Sequence, residues 1–199
     1  MIDNINIIKN LLNFTDEGDF YMLYIFKRKK DQPEGERDNH QSVRTIKTYC
    51  IDNLEYLDKR YDEIKELCEM FKARAYIHIQ KQNHKDVSLE MMMALAQKIR
   101  DGQHMQKNLF DSVVGQLKTN EKRWIIDVDN RDSMELMRLT DVLRVTRPEG
   151  NKVEAFIPTK NGYHLITKRF DVEMFRNLYP HIDIQKKNPT LLYYPNSLD

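Results

Sequence analysis

Cysteine, glycine, proline and tryptophan are all scarce in this chain of 199 residues. It contains two cysteines, six glycines, six prolines and one tryptophan. The two cysteines, Cys50 and Cys68, are too few for a disulfide framework or a multi-cysteine zinc module. We therefore expect no zinc, and any bound metal ion must be held by oxygen atoms or histidines.

The chain also lacks a long apolar run and an excess of charge of one sign. No segment approaches the roughly 18 consecutive apolar residues of a membrane helix, and residues 1–4 do not resemble the start of a signal peptide. We therefore expect a cytoplasmic protein without a membrane partner. Lys and Arg number 32 against 31 Asp and Glu, a formal net charge of +1, so nucleic acid would have to bind through local basic patches.

Hydrophobic periodicity predicts an α+β chain with two parts, residues 1–117 and 118–199. The first part is predicted to be an N-terminal αβ module. Its strands and helices are expected over 20–26, 43–51, 53–72, 74–80 and 88–100.

The second part has a denser alternation of elements. The pattern predicts strand, helix, strand, strand, helix, strand over 124–128, 131–145, 153–157, 163–167, 171–178 and 181–184. This βαββαβ order is typical of an antiparallel sheet backed by two helices. A possible last strand follows over 191–194.

Two carboxylates stand at the end of the apolar segment 124–128. Asp127 and Asp129 are separated by one residue, so their side chains point to the same face of a strand, roughly 7 Å apart along the backbone. Mg²⁺ prefers one or two carboxylates together with substrate phosphates and water. The pair suits a metal ion bound with a nucleotide, while an ordinary strand end with Asp129 capping the next helix is the alternative.

The predicted hairpin near residue 162 brings a histidine and several cations to the same region. Gly162 allows the backbone to approach a ligand closely, and His164 begins a strand expected beside the Asp-bearing one. His164 can donate to a phosphate oxygen, with added charge from Lys160, Lys168 or Arg169. Taken by itself, His164 also fits a half-exposed structural histidine.

A third carboxylate, Asp183, lies between two isoleucines in an alternating segment. If those isoleucines pack inward, Asp183 reaches the sheet face that carries the first two acids. We expect Asp127, Asp129 and Asp183 to form one metal-binding cluster, with His164 facing the same cleft. An Asp183 side chain on the opposite face would contradict this interpretation.

These segments, in this order, resemble the three motifs of the archaeo-eukaryotic primase superfamily, which includes the small primase-polymerases of plasmids and phages. The matching segments are Asp127-Val128-Asp129, Gly162-Tyr163-His164 and Ile182-Asp183. The resemblance implies catalytic and metal-binding roles for the three aspartates, with Mg²⁺ or Mn²⁺, and a contact between His164 and the nucleotide triphosphate. It also implies that the second part is an RRM-like catalytic half packed with the N-terminal module.

The implied function is metal-dependent nucleotidyl transfer, as template-directed primer synthesis or extension from NTP or dNTP in the replication of a phage, plasmid or mobile element. Gly162 stands where the family often has Ser or Thr, and the chain has no room for a helicase. A separate helicase or priming-accessory protein is therefore a possible partner. Single-stranded DNA template is expected to contact Arg74, Tyr76, His78, Lys27 and Arg28.

Other functions fit parts of the sequence. The segment His78-Ile79-Gln80 resembles the metal motif of rolling-circle replication nucleases, but no Tyr-x-x-Lys sequence follows it. A haloacid-dehalogenase-like phosphatase would have Thr or Val at the position of Arg131. A non-catalytic, RRM-like nucleic-acid-binding module that assists replication is the non-enzymatic alternative.

Overall fold

The computed structural model describes residues 1–32, 43–103, 108–117 and 122–198. These residues form an α+β protein with six α-helices and antiparallel sheets. Within these ranges, no helix combines the length and apolarity needed to cross a membrane.

The strands and helices alternate along most of the chain. The strands are β1 (Ile2–Asp3), β2 (Asp19–Arg28), β3 (Val43–Ile51), β4 (Arg74–Ile77), β5 (Gln82–Asn83), β6 (Trp124–Val128), β7 (Val153–Pro158), β8 (Tyr163–Thr167), β9 (Asp183–Gln185) and β10 (Thr190–Tyr194). The helices are α1 (Ile5–Leu11), α2 (Leu54–Phe71), α3 (His84–Arg100), α4 (Leu109–Gln116), α5 (Ser133–Val145) and α6 (Val172–Leu178).

The strands belong to two sheets. The first sheet has the order β1-β10-β4-β2-β3, with β5 paired to β2. The second has the order β7-β8-β6-β9. All of these pairings are antiparallel.

Strand β2 lies between β4 and β3 in the first sheet and is covered on both faces. Tyr21, Leu23 and Ile25 pack into the core that includes α2, whereas Phe20 and Met22 pack against α3 and α4. All five side chains are fully buried. A strand buried on both faces has a continuous apolar sequence instead of an alternating one, which is the pattern of residues 20–26.

The side chains of β6 are divided between two cores. Trp124, Ile126 and Val128 pack with α5 and α6 on one face of the second sheet. Ile125, on the other face, belongs to the core of the first sheet. Because side chains alternate along a strand, Asp127 shares the face of Ile125 and lies between the two sheets.

Two polar side chains tie the sheets together. The buried Asn4 side chain donates to the carbonyl oxygens of Pro158 and Leu191, each at 3.0 Å. Arg123 forms an ion pair with Glu154 at 2.6 Å and donates to backbone carbonyls of the first half of the chain. These contacts hold the two facing sheet surfaces in a fixed position relative to each other.

The predicted last strand exists as β10, but it pairs with β1 and β4 in the first sheet. Residues 118–199 therefore supply one strand to the sheet built mainly from residues 1–117. Several other boundaries differ from the prediction. For example, β4 ends at Ile77, and α3 begins at His84 because the Asn83 side chain caps it by accepting from the backbone N–H of Lys85.

Gly162 occupies a position where its backbone meets the end of β6. A Cβ atom built there would lie 2.7 Å from the backbone nitrogen of Asn130 and closer still to the carbonyl oxygen of Val128. Backbone atoms at this distance cannot move aside as a flexible side chain can. The glycine therefore lets the β7–β8 hairpin pack against the strand end between Asp127 and Asp129.

We expect Gly162→Ala to destabilise the fold by about 3 kcal/mol or more, because the methyl group overlaps backbone atoms of β6. Gly115→Ala is the matched control, since a Cβ at this position in α4 has nothing within 4 Å, and its effect should be neutral or slightly stabilising. Urea unfolding of the two variants measures the difference. Equal unfolding midpoints would contradict the close approach at Gly162.

Candidate functional site

A cleft of about 470 Å³ lies where the edges of the two sheets meet. The first sheet contributes aromatic and cationic side chains, and the second contributes carboxylates, a histidine and the loop after β7. The principal lining residues are Phe26, Arg28, Arg74, Tyr76, Asp127, Asp129, Lys160, His164 and Gln185. Seven of these nine were predicted from the sequence; Phe26 and Gln185 were not.

Asp127 is the centre of a row of polar residues across the second sheet. Its partner in the register on β8 is His164, and its partner on β9 is Asp183. Directly paired residues in an antiparallel sheet have side chains on the same face. The expected inward packing of Ile182 and Ile184 is confirmed, because both lie in the core with α5 and α6. Asp183 is therefore on the face of Asp127.

Gln185 connects two of the carboxylates. Its side-chain amide donates to Asp127 Oδ2 at 3.3 Å and to Asp183 Oδ2 at 2.9 Å. Gln185 was not among the residues predicted from the sequence. Its position two residues after Asp183 was a usable signal, because residues i and i+2 of a strand share a face.

The carboxylates influence one another. The pKa of Asp127 is raised above its usual value, mainly by burial and then by repulsion from Asp129 and Asp183. The positive charge of Arg28 and the hydrogen bond from Gln185 act in the opposite direction. A divalent cation at this position would reduce the repulsion between the acids.

The three carboxylates do not form the closed cluster that we expected. Within the described parts of the chain, no group of three or more His, Cys, Asp or Glu residues is arranged to hold a metal ion. Asp183 is exposed and held by Gln185, while Asp127 and Asp129 both line the cleft. Two carboxylates fit Mg²⁺ or Mn²⁺ that keeps water and phosphate oxygens as its other ligands.

His164 is buried beside Asp127, with 9% of its surface exposed. Its Nδ1 lies 2.9 Å from the hydroxyl of Thr190, on β10 of the first sheet, and its Nε2 lies 3.6 Å from Asp127 Oδ1. Burial, aided by the charge of Arg28, lowers the pKa of His164 to about 4. The imidazole is therefore neutral at neutral pH, and its contact with Asp127 is not an ion pair.

The cations of the cleft come from both sheets. Arg28, at the end of β2, is near enough to lower the pKa of both Asp127 and His164. Lys160 donates to the hydroxyl of Tyr194 at 2.8 Å. Arg74 is buried and forms an ion pair with Asp31, in the short turn that follows β2. The cleft thus places positive charge opposite the carboxylates.

The aromatic residues of the first sheet form one side of the cleft. The rings of Phe26 and Tyr76 are stacked with centroids 4.4 Å apart and planes within 2°. Tyr76 is buried and Phe26 is half-buried. Both line the cleft beside Arg28 and Arg74.

Three predicted nucleotide-binding residues lie away from the cleft lining. Lys168 and Arg169 follow the far end of β8, about 13 Å along the strand from its start, and both are exposed. Gly162 is buried against β6 instead of facing the cleft. The sequence correctly placed the hairpin but did not show which of its neighbours faces the carboxylates.

Two predicted nucleic-acid-binding residues also lie outside the cleft lining. Lys27 precedes Arg28 on β2 and therefore points to the other face of the strand. His78 lines a separate pocket of about 40 Å³ together with Gln80. Burial lowers the pKa of His78 to about 4, and the Gln80 amide donates to backbone carbonyls of Arg123 and Lys186. This pocket is too small for a nucleotide.

Comparisons with protein families, with curated proteins and with solved structures found no match.

We expect the imidazole of His164 to titrate near pH 4 in the folded protein and to stay neutral above about pH 5. Arg28→Met should raise this pKa, because it removes a cation that disfavours the protonated ring. Arg44→Met, on the neighbouring strand β3, removes the same charge outside the cleft and should have little effect. NMR titration of the histidine ring signals measures all three pKa values, and a wild-type value near 6.5 would contradict the buried position.

Proposed function

We propose that this protein catalyses metal-dependent nucleotidyl transfer, in the manner of a primase-polymerase of the archaeo-eukaryotic primase type. One observation carries the proposal. Asp127 is paired with His164 on one side and with Asp183 on the other, and it lines a cleft together with Asp129, Arg28, Arg74 and Lys160. The closeness of acids and cations supports binding of a metal ion together with phosphate groups.

The arrangement of the second sheet supports an RRM-like catalytic half. Its elements follow in the order β6, α5, β7, β8, α6, β9, and its strand order is β7-β8-β6-β9 with antiparallel pairing throughout. Both helices cover one face. The other face turns towards the first sheet, and the residues that match the three motifs meet at its end.

The donors at the site suit a divalent cation that arrives with a nucleotide. Asp127 and Asp129 would hold Mg²⁺ or Mn²⁺, with Asp183 nearby as a third acid. When bound, the ion would neutralise phosphate charge and assist the departure of pyrophosphate. Gln185 keeps Asp127 and Asp183 oriented by donating to both.

The chain's own residues would position the triphosphate. The positive charges of Arg28 and Lys160 would attract its oxygens. Neutral His164 would contact the phosphate through Nε2, because Nδ1 is hydrogen-bonded to Thr190. In the reaction, a hydroxyl oxygen loses its proton to water and forms a bond to the α-phosphorus as the bond from that phosphorus to pyrophosphate breaks. Catalysis would rest on positioning and charge neutralisation.

The volume of the cleft suits a nucleotide, and its side chains suit a template strand. Its volume of about 470 Å³ lies within the range of small-molecule sites, about 300–1,000 Å³, so one NTP or dNTP can enter. The half-buried ring of Phe26, which is stacked on Tyr76, lies beside Arg28 and suits a base and a phosphate of single-stranded DNA. A separate helicase or priming-accessory protein would complete the replication function.

The same aromatic pair favours a second candidate function, a non-catalytic module that binds single-stranded nucleic acid during replication. Stacking on aromatic side chains beside cations is sufficient for such binding. The two functions differ in the role of the carboxylates. Binding alone does not need Asp127 or Asp129, whereas nucleotidyl transfer does.

We expect the wild-type protein to incorporate nucleotides on a primed single-stranded template with Mg²⁺ or Mn²⁺. Asp127→Asn should reduce the rate at least about 100-fold, because it removes a metal-binding charge at the centre of the site. Asp141→Asn is the matched control: this aspartate lies on α5 and its side chain is 65% exposed. A gel assay of labelled primer measures extension, and reactions without primer test primer synthesis.

Extension that is unchanged in Asp127→Asn would contradict the proposed site. Folded wild-type protein that binds single-stranded DNA but extends no primer with either metal would favour the non-catalytic module.

A further inference from the structure

Arg74 and Asp31 form a buried ion pair at the edge of the cleft. Arg74 Nη2 donates to Asp31 Oδ1 at 2.7 Å, and the two side chains are only 7% and 9% exposed. Arg74 lines the cleft. Asp31 ends a short 3-10 turn, Lys29–Asp31, that follows β2.

The pair is incompletely satisfied. Arg74 Nε and Asp31 Oδ2 are both buried, and neither atom has a hydrogen-bond partner among the described residues. Arginine binds carboxylates and phosphates most favourably through two parallel N–H groups. Here Arg74 meets Asp31 through a single N–H, and its buried Nε has no hydrogen-bond partner among the described residues, which is unfavourable.

Arg74 and a second cation, Lys160, both contact the ring of Tyr194. Its guanidinium lies 4.8 Å from the centre of the Tyr194 ring, and the ammonium of Lys160 lies 5.2 Å from the centre of the same ring. The two cations come from different sheets. Both cations line the cleft, so an anion bound there would be attracted to both.

We propose that Arg74 binds a phosphate group of the ligand in this cleft through Nε and Nη2, and that Asp31 is an internal competitor which occupies Arg74 until the phosphate displaces it. This inference rests on the proposed function, because it names a group that would hold the phosphate of a nucleotide or of a nucleic-acid backbone. It assigns Arg74 to phosphate binding and Asp31 to the regulation of affinity.

The test is equilibrium binding without metal, in EDTA and at constant ionic strength. The probes are inorganic tripolyphosphate, ATP and a single-stranded oligonucleotide with a 5′ hydroxyl. We expect Asp31→Asn to lower the Kd for at least one probe about fivefold to tenfold, because it removes a competing negative charge while preserving side-chain size. Asp58→Asn, which removes the carboxylate of the Lys9 ion pair outside the cleft lining, is the control.

The probes distinguish the source of the phosphate. Tighter binding of tripolyphosphate and ATP alone identifies a nucleotide phosphate, and tighter binding of the oligonucleotide alone identifies a backbone phosphate. Arg74→Lys should weaken binding of the same probe and cancel the effect of Asp31→Asn, since lysine keeps the charge but lacks the paired N–H groups.

Affinities unchanged in Asp31→Asn for all three probes would overturn the inference, as would Arg74→Lys binding them as tightly as the wild type does. Because the measurement involves neither metal nor extension, it is separate from the test of nucleotidyl transfer. An active enzyme with no Asp31 effect loses only this inference. A clear Asp31 effect in a protein that extends no primer leaves the phosphate site in place and removes the proposed activity.

Discussion

The alternation of side chains along β6 determines where the candidate site can form. This strand is buried on both faces, because one face packs with α5 and α6 and the other with the first sheet. Ile125 fills the space between the sheets, and Asp127 follows it on the same face at the point where the cleft opens. A shift of one residue in register would bury the carboxylate among the helices.

The site depends on contacts between elements that are distant in the sequence. Thr190, from the last strand of the first sheet, holds Nδ1 of His164, so the histidine is oriented by a residue outside its own sheet. Asn4 and Arg123 join the two sheets through buried or half-buried hydrogen bonds. The cationic side of the cleft is thereby kept opposite the carboxylates.

Local patterns were sufficient to predict much of the fold and part of the site. The apolar segment before Asp127 indicated a buried strand. The isoleucines on either side of Asp183 indicated that this side chain points away from the core that they fill. Local patterns could not show that the final strand joins the first sheet, because strand pairing depends on contacts with residues more than a hundred positions away.

Contacts between distant parts of the sequence also explain why the positions of several residues were not predicted. Thr190 contacts His164 only because β10 crosses to the first sheet, and Arg74 is occupied by Asp31 from a distant turn. Lys168 and Arg169 seemed suitable because they follow the histidine strand, yet they follow its far end. Charge and closeness in the sequence therefore identified candidate ligand-binding residues. Which of these residues meet in the cleft depends on the strand topology.

The central claim is that Asp127 and Asp129 hold a divalent cation together with a nucleotide. The most direct measurement is the affinity for a nucleoside triphosphate with and without Mn²⁺, combined with the relaxation of water protons by the bound ion. We expect tighter nucleotide binding when Mn²⁺ is present, and loss of that gain in a protein with both aspartates changed to asparagine. Nucleotide affinity that is the same with and without Mn²⁺, and unaffected by the double substitution, would contradict it.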